Sequence, residues 1–222
     1  MTDSSTTPPS KYYITLLRHG ESVANAGGIH QGQADFELSD TGLAQACALA
    51  DRWQRESVTF EQIISSPLLR ARQTAEVIAA ALHIPVEFDP NWMERDIGQL
   101  SGLSPEEAAQ RFPRPAFIHP YQALGGNGES NWETYLRAGR AVQDLLRQPP
   151  GSYLVVSHGG ILKMALYAIL GIVPQANFQG ARFRFYNTSF AVLQYDPAHH
   201  NWMLERFNDL THLDEHIRGV GE

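Results

Sequence analysis

Leu-Leu-Arg-His-Gly-Glu-Ser at residues 16–22 follows directly after the run Tyr-Tyr-Ile-Thr at residues 12–15. This pattern predicts a buried strand at residues 12–18 that delivers Arg18 and His19 to a turn at its C-terminal end. Ligands bind at that end of the strands in open α/β sheets. An arginine binds anions with its charged fork, and a histidine can attack or transfer a proton. The pair favours phosphate chemistry on histidine, although a turn with a solvated arginine fits the tripeptide alone equally well.

A second strand ends in the same way. Residues 152–157 read Ser-Tyr-Leu-Val-Val-Ser and predict a buried strand that ends at His158, after which two glycines lead into a helix. If the two strands are parallel neighbours, His19 and His158 lie at one edge of the sheet. The amides after His158, beginning with Gly159, then lie at a helix N-terminus, which favours anions. Taken alone, His158 fits a buried turn histidine better than a catalytic one. The inference of a site therefore rests on finding two strands that both end in His-Gly.

Arg70 follows a third junction between a strand and a helix. The predicted strand at residues 60–65 leads into Ser66 and Pro67, which have the types expected for a helix cap and a first turn. A cation this near a helix N-terminus opposes the helix dipole, which is unfavourable for a purely structural arginine. A bound anion would relieve the conflict, whereas a surface ion pair is the structural alternative.

Composition restricts the partners of the chain. Its 222 residues are 43% hydrophobic and 18% charged, with a formal net charge of −7. This charge argues against a nucleic-acid surface, which needs clustered Lys and Arg, but it permits a local positive pocket for a small anion. No stretch has the length of a membrane span, so no membrane partner is expected.

Other features favour a cytoplasmic protein. Cys47 is the only cysteine, so no intramolecular disulfide can form, and we expect it to fill core space in a helix at residues 42–56. Residues 1–10 are polar and lack the apolar run of a signal peptide. We expect them to form a flexible N-terminal tail.

The alternation of strand and helix patterns predicts the fold class α/β, as a three-layer α/β/α arrangement around a mainly parallel, mixed sheet. Late strands at residues 188–195 and 201–207 are expected to form a hairpin. A loop is expected at residues 23–41. A helix opened by a Ser130–Glu133 capping box is expected to turn Leu136 inward. We predict one domain over residues 11–222, with an insert at about 99–135 that covers the site.

Taken together, the motifs resemble the histidine phosphatase superfamily, whose members share a phosphoglycerate-mutase-like fold. The resemblance runs from Tyr12 to about Leu213. Each motif alone is weak evidence for the family, but their shared order and compatible spacing make the evidence strong. The matching segments are Leu17-Arg18-His19-Gly20-Glu21-Ser22 with Asn25; Gln31-Gly32; Leu38-Ser39-Asp40-Thr41-Gly42; Ser65-Ser66-Pro67-Leu68 with Arg70, Ala71 and Thr74; Glu94 with Gly98 and Gly102; Gly128-Glu129-Ser130; Ser157-His158-Gly159-Gly160; Asn187-Thr188; and Asn208-Asp209-Leu210-Thr211-His212-Leu213.

The resemblance implies a phosphoric monoester hydrolase of the histidine acid phosphatase type, acting on a small phosphorylated metabolite. His19 would be the nucleophile and would form a phosphohistidine; it must be neutral to attack, and nearby cations favour that form. Arg18, Arg70 and His158 would clamp the phosphoryl oxygens and offset their charge. Further hydrogen bonds to phosphate would come from Ser22, Asn25, Gln31, Gly32 and Gly159.

Glu94 would be the proton donor, because an alkoxide is a poor leaving group, and its carboxylate would then activate water. The flanking Trp92, Met93 and Ile97 favour partial burial of Glu94 over surface pairing with Arg95. No metal or other cofactor is implied, since protein cations supply the charge.

Two other functions remain open. A cofactor-dependent phosphoglycerate mutase would use the same phosphohistidine. Mutases of this family carry a Trp-Arg-Arg-type segment, whereas residues 103–128 contain only Arg111 and Arg114; they also usually follow the second histidine with Gly-Asn, where this chain has Gly159 and Gly160. An inactive binding module would be expected to lose at least one of the five central residues, and all five are present.

Smaller signals weigh less. His212 and His216 lie four residues apart but lack further ligands, which makes a poor metal site. Sugar phosphates, nucleotide-related monoesters and phosphoserine-type metabolites all remain possible substrates. The candidates for an apolar wall in the covering segment are Phe112, Phe117, Tyr121, Trp132 and Tyr135.

Overall fold

A computed structural model describes residues 10–214. Within that range the strands are β1 (Tyr12–Arg18), β2 (Gln62–Ser65), β3 (Val86–Phe88), β4 (Ser152–Ser157), β5 (Phe190–Asp196) and β6 (Asn201–Asp209). The α-helices are α1 (Val23–Ala26), α2 (Asp40–Arg55), α3 (Leu69–Leu82), α4 (Pro105–Arg111), α5 (Asn131–Leu145) and α6 (Gly159–Leu170).

The strands form one mixed sheet in the order β3-β2-β4-β1-β5-β6. Strands β3, β2, β4 and β1 are parallel, whereas β5 and β6 form an antiparallel hairpin beside β1. This confirms the predicted fold class and the late hairpin. In the pairing of β1 with β4, Arg18 lies opposite Ser157. The next residues, His19 and His158, therefore leave the sheet side by side.

Helices cover both faces of this sheet. Alternate side chains of a strand point to opposite faces, and in β1 Leu16 joins one apolar core while Leu17 joins the other. Helices α5 and α6 pack together over the first core, and α2 and α3 over the second. The predicted three layers are thus present.

Two side chains that were expected in the core are exposed. Cys47 lies on the solvent side of α2, because the buried stripe of that helix passes through Ala46, Leu49 and Ala50. Cys47 is one position past Ala46, about 100° around the helix. Leu136 is 55% exposed for the same reason, since Thr134, Ala138 and Ala141 form the inner face of α5.

Two boundaries also differ from the prediction. Helix α3 begins at Leu69 with no side-chain cap, so Ser66 does not cap it. The predicted loop at residues 23–41 contains the short helix α1. A capping box between Ser22 and Asn25 caps the N-terminus of this helix. Both serines are fully buried in the site described below.

Two sequence predictions concern residues outside the described range. The expected N-terminal tail covers residues 1–10, of which only Ser10 is described, and His216 also lies beyond it. No helix between residues 10 and 214 is both long enough and apolar enough to cross a membrane.

The end of β6 is tied to helix α2 by an ion pair. Arg52 Nη1 and Nη2 donate to the two carboxylate oxygens of Asp209 at 2.8 and 3.2 Å. Burial alone would raise the pKa of Asp209, but the hydrogen bonds from Arg52 and Thr211 outweigh it and hold that pKa well below its ordinary value. The pair therefore stabilises the attachment of the hairpin to the second core.

We expect Asp209→Asn to lower the free energy of unfolding by about 2 kcal/mol at neutral pH, because it removes a mostly buried charged partner of Arg52. Since the folded-state pKa is depressed, this stabilisation is complete above the ordinary pKa of about 4 and is lost as the pH falls below it. Urea unfolding at several pH values measures both effects. In the exposed Asp144–Arg147 pair, Asp144→Asn is expected to cost at most about 0.5 kcal/mol, and an equal cost for the two variants would contradict the assignment.

Candidate active site

The turn after β1 is fixed by backbone contacts with its neighbours. The His19 amide donates to Ser157 O at 2.9 Å, and the Gly20 amide donates to Thr74 Oγ1 at 3.0 Å. A Cβ on Gly20 would press against the carbonyl oxygen of Gly42 at the start of α2. The close approach of these two glycines sets the position of the turn.

His19 is held in one orientation at the wall of a cavity. Its side chain is nearly buried, and its ring lines a cavity of about 540 Å³. Nδ1 lies 2.6 Å from Gly20 O. A carbonyl can only accept, so Nδ1 carries the proton and Nε2 keeps its lone pair. Burial, and then the charges of Arg70 and Arg18, lower the pKa of His19 well below 6.5, against the opposing effect of the Gly20 hydrogen bond.

Two arginines line the same cavity. Arg18 Nη1 donates to Phe185 O at 2.8 Å, and its guanidinium passes close to the Cα of Gly159. Arg70 is almost completely buried and donates to Gly32 O at 2.8 Å and to a second carbonyl at 2.9 Å. Burial lowers the pKa of Arg70 to about 10, so the group is still charged at neutral pH.

His158 lies against His19 but is sealed from solvent. The centroids of the two rings are 5.0 Å apart, and His158 is fully buried. Its Nε2 is 2.8 Å from Ser66 Oγ, while its Nδ1 has no hydrogen-bond partner among the described residues. Burial, followed by the charge of Arg70, lowers the pKa of His158 well below 6.5. Ser66, which was expected to cap a helix, instead orients this ring.

The smaller polar residues divide into two groups. Asn25, Gln31 and Gly32 line the cavity, as a phosphate-binding role requires. Ser22 does not line it, because its fully buried hydroxyl lies 3.0 Å from Asn25 Oδ1 and 2.8 Å from Gln31 Oε1. Ser22 thus positions Asn25 and Gln31, and its predicted direct contact with phosphate finds no support in this geometry.

Glu94 occupies the helix N-terminus at which the sequence suggested substrate phosphate. Its Oε2 accepts from the Gly160 amide at 2.9 Å, and its Oε1 accepts from the amides of Ile161 at 3.0 Å and Arg95 at 2.8 Å. Glu94 also lines the cavity that contains His19. A Cβ on Gly160 would collide with Glu94 Oε1, so a larger residue at this position would require the Glu94 carboxylate to shift.

An ion pair that sequence reasoning missed fixes the segment around Glu94. Arg137 donates to the carbonyls of Asn91 at 2.8 Å, Met93 at 2.7 Å and Glu94 at 3.2 Å. The same guanidinium forms two hydrogen bonds with the Glu129 carboxylate, and Glu129 Oε2 accepts from the Asp96 amide at 2.9 Å. Glu129 stood within the matching motif Gly-Glu-Ser, but no pattern in the sequence indicates Arg137 as its partner.

The site thus brings together in one cavity a histidine with a lowered pKa, buried Arg70, half-buried Arg18 and a carboxylate. A model of the histidine phosphatase superfamily (branch 1) matches residues 14–210. The chain belongs to this superfamily.

Three relatives show the range of the superfamily. A metal-independent phosphoserine phosphatase of Arabidopsis thaliana is 34% identical over 206 residues, covering 90% of this chain and 82% of the relative. A probable phosphoglycerate mutase of Yersinia pestis is 34% identical over 210 residues, covering 90% and 94%. The solved structure of a phosphoserine phosphatase mutant from Entamoeba histolytica, in complex with phosphoserine, is 26% identical with a TM-score of 0.74 over 91% of this chain and 99% of that one.

We expect Gly160→Ala to lower kcat for hydrolysis of an alkyl phosphate by roughly 10- to 100-fold, because the new methyl group displaces the Glu94 carboxylate. The matched control is Gly139→Ala, where a Cβ would meet only Ala168 Cβ at an ordinary 3.7 Å. Steady-state kinetics and circular dichroism of both variants measure the effect. An unchanged kcat in folded Gly160→Ala would show that the position of Glu94 is not important.

We expect Arg137→Met to lower kcat about tenfold with little change in KM, since it frees the segment that positions Glu94 but leaves the cavity wall intact. Exposed Arg140 lies three residues further along α5, and Arg140→Met serves as the control for loss of charge. A rise in KM at constant kcat would place Arg137 in substrate binding instead.

Proposed function

We propose that this chain is a metal-independent phosphomonoester hydrolase of the histidine acid phosphatase type, which acts through a phosphohistidine at His19 on a small phosphorylated metabolite. The observation that carries the proposal is the state of His19. Its Nδ1 is committed to the Gly20 carbonyl, and its lowered pKa keeps Nε2 unprotonated at neutral pH. A neutral imidazole between two cations is suited to attack a phosphate dianion.

The first step transfers the phosphoryl group. Nε2 of His19 attacks phosphorus as the bond from phosphorus to the ester oxygen breaks. Arg18 and Arg70 offset the charge on the phosphoryl oxygens, and Asn25 and Gln31 donate further hydrogen bonds. Protonated Glu94 gives its proton to the leaving oxygen, so that an alcohol and not an alkoxide departs.

The second step releases phosphate. The Glu94 carboxylate takes a proton from a water molecule, whose oxygen attacks the phosphorus of phosphohistidine. The bond between phosphorus and Nε2 breaks, which returns His19 to its neutral form and Glu94 to its protonated form. His158 is fully buried behind His19 with its ring oriented by Ser66, so it supports the ring of His19 and does not itself line the phosphoryl cavity.

Phosphoglycerate mutase activity is the second candidate, and the Yersinia relative of that name favours it. Gly160 supports hydrolysis instead, because the asparagine expected at this position in mutases would displace Glu94. The relative of Arabidopsis, named as a metal-independent phosphoserine phosphatase, supports the hydrolase. An inactive binding module is disfavoured by the convergence of His19, Arg18, Arg70 and Glu94 on one cavity.

We also propose that residues 11–222 form one domain whose insert, at about residues 99–135, covers the site. Support comes from Ile97 and Pro105, which flank the start of this insert and line the cavity of His19. A covered site excludes water during the first step, which favours transfer to His19 over direct hydrolysis.

The decisive test is phosphate release from an aryl phosphate, with and without EDTA. We expect the wild type to turn over equally in both conditions and to yield an acid-labile phosphoenzyme, and we expect His19→Ala to lose both signals by at least about 10³-fold. His199→Ala is the control, because His199 is an exposed turn residue. Loss of activity in EDTA, or a phosphoenzyme that survives in His19→Ala, would refute the mechanism. Conversion of 3-phosphoglycerate to 2-phosphoglycerate faster than phosphate release would favour the mutase.

A further inference from the structure

A second cavity, of about 660 Å³, adjoins the cavity of His19. The two share the lining residues His30, Arg95, Ile97 and Pro105, so they lie next to each other. A phosphoryl group held at His19 therefore has an adjoining space into which the rest of its ester can extend. The volume falls within the range of about 300–1,000 Å³ that is typical of sites for small organic ligands.

The walls of this second cavity are mainly apolar. Phe112, Ile118 and Leu124 come from the insert, and Phe178 comes from the segment between α6 and β5. Of the five aromatic residues that the sequence suggested for such a wall, Phe112 alone lines it; Phe117 and Tyr121 are instead 58% exposed. Apolar lining binds ligands by removing their apolar surface from water.

The charges at the wall are positive. Arg95 and Arg114 line the second cavity. Both guanidinium groups lie over the ring of Phe178, with Arg95 Cζ 5.7 Å and Arg114 Cζ 5.9 Å from the ring centroid. No Asp or Glu is present among the described residues that line this cavity. A leaving group that carries an ammonium but no carboxylate would therefore meet only like charge there.

The position of Phe178 is held at a conformational cost. Asn177 and Phe178 both have a φ of 55°, which lies in the left-handed region that residues with a side chain rarely adopt. Asn177 secures the turn, since its amide donates to Ile118 O at 2.8 Å and its Oδ1 accepts from the Ile118 amide at 2.7 Å. Strained backbone of this kind is concentrated at ligand sites. The turn thus places an aromatic ring at the cavity and ties it to the insert.

We propose that the second cavity binds the leaving group of the substrate, and that the substrate is a phosphomonoester of a bulky apolar alcohol. This inference rests on the proposed function, because it needs the phosphoryl group to lie at His19. It assigns recognition of the leaving group to Phe112, Ile118 and Phe178, none of which contacts the phosphoryl cavity. The serine of phosphoserine is small and polar, so it would gain little from the apolar walls of the second cavity.

The test compares esters whose leaving oxygens are equally reactive. Ethyl phosphate and 3-phenylpropyl phosphate are both alkyl esters, so their kcat/KM ratio reports the apolar group alone. We expect the wild type to prefer the phenylpropyl ester at least tenfold, since each buried methylene contributes severalfold. O-phosphoserine is expected to resemble ethyl phosphate.

Ala109 supplies the variant, because it lines the second cavity from an exposed position on α4. We expect Ala109→Trp to lower the phenylpropyl-to-ethyl ratio about tenfold, as it fills the cavity. Gln110→Trp, at the neighbouring exposed position outside the cavity, is expected to keep the wild-type ratio. Inhibition of the wild type by 3-phenylpropylphosphonate against ethylphosphonate tests the same preference without any substitution.

The outcomes separate the two proposals. If ethyl phosphate is hydrolysed through His19 but the phenylpropyl ester is not preferred, or if phosphoserine is the best substrate, the leaving-group inference is wrong and the hydrolase stands. An equal loss on both esters in Ala109→Trp also overturns the inference. If no ester is hydrolysed and no phosphoenzyme forms, the proposed function itself fails.

Discussion

The parallel pairing of β1 with β4 is the constraint on which the site depends. Because Arg18 lies opposite Ser157, the two strands release His19 and His158 at the same level of the sheet. The chain after His158 passes directly into α6, so the same pairing also places the N-terminus of that helix beside His19. Two amides of this N-terminus bind the Glu94 carboxylate and help to hold it in the site. A shift of β4 by one residue would separate all three groups and reverse the faces of its side chains.

The electrostatics of the site follow from burying cations next to histidines. Burial makes charge costly, and the protein meets that cost at Arg70 with backbone carbonyls instead of a carboxylate. The guanidinium therefore keeps its positive field, which lowers the pKa of both histidines and leaves an anionic ligand as the natural counterion. A structural ion pair at Arg70 would have cancelled the field.

Strand periodicity and junction chemistry predicted the sheet, its hairpin and the residues that meet at its edge. These features could be predicted because they are local: a buried strand that ends in His-Gly is recognised from a short stretch of sequence. The errors occur where a helix face must be assigned, as at Cys47 and Leu136, since one position along a helix turns a side chain by about 100°. Ser66 and Arg137 were missed because their partners are distant in sequence: His158 is 92 residues from Ser66, and Glu94 is 43 residues from Arg137.

The position of Glu94 explains why two activities can arise from one set of residues. The amides at the start of α6 can bind either a carboxylate of the protein or an anion of the ligand, but not both. With glycine at 160, the Glu94 carboxylate takes that place, from which the proposed mechanism has it accept a proton from water. A side chain at 160 would displace Glu94, and under the proposed mechanism this displacement would slow the attack of water on the phosphohistidine. In the proposed mechanism, the space beside the Cα atom of Gly160 therefore favours hydrolysis over transfer.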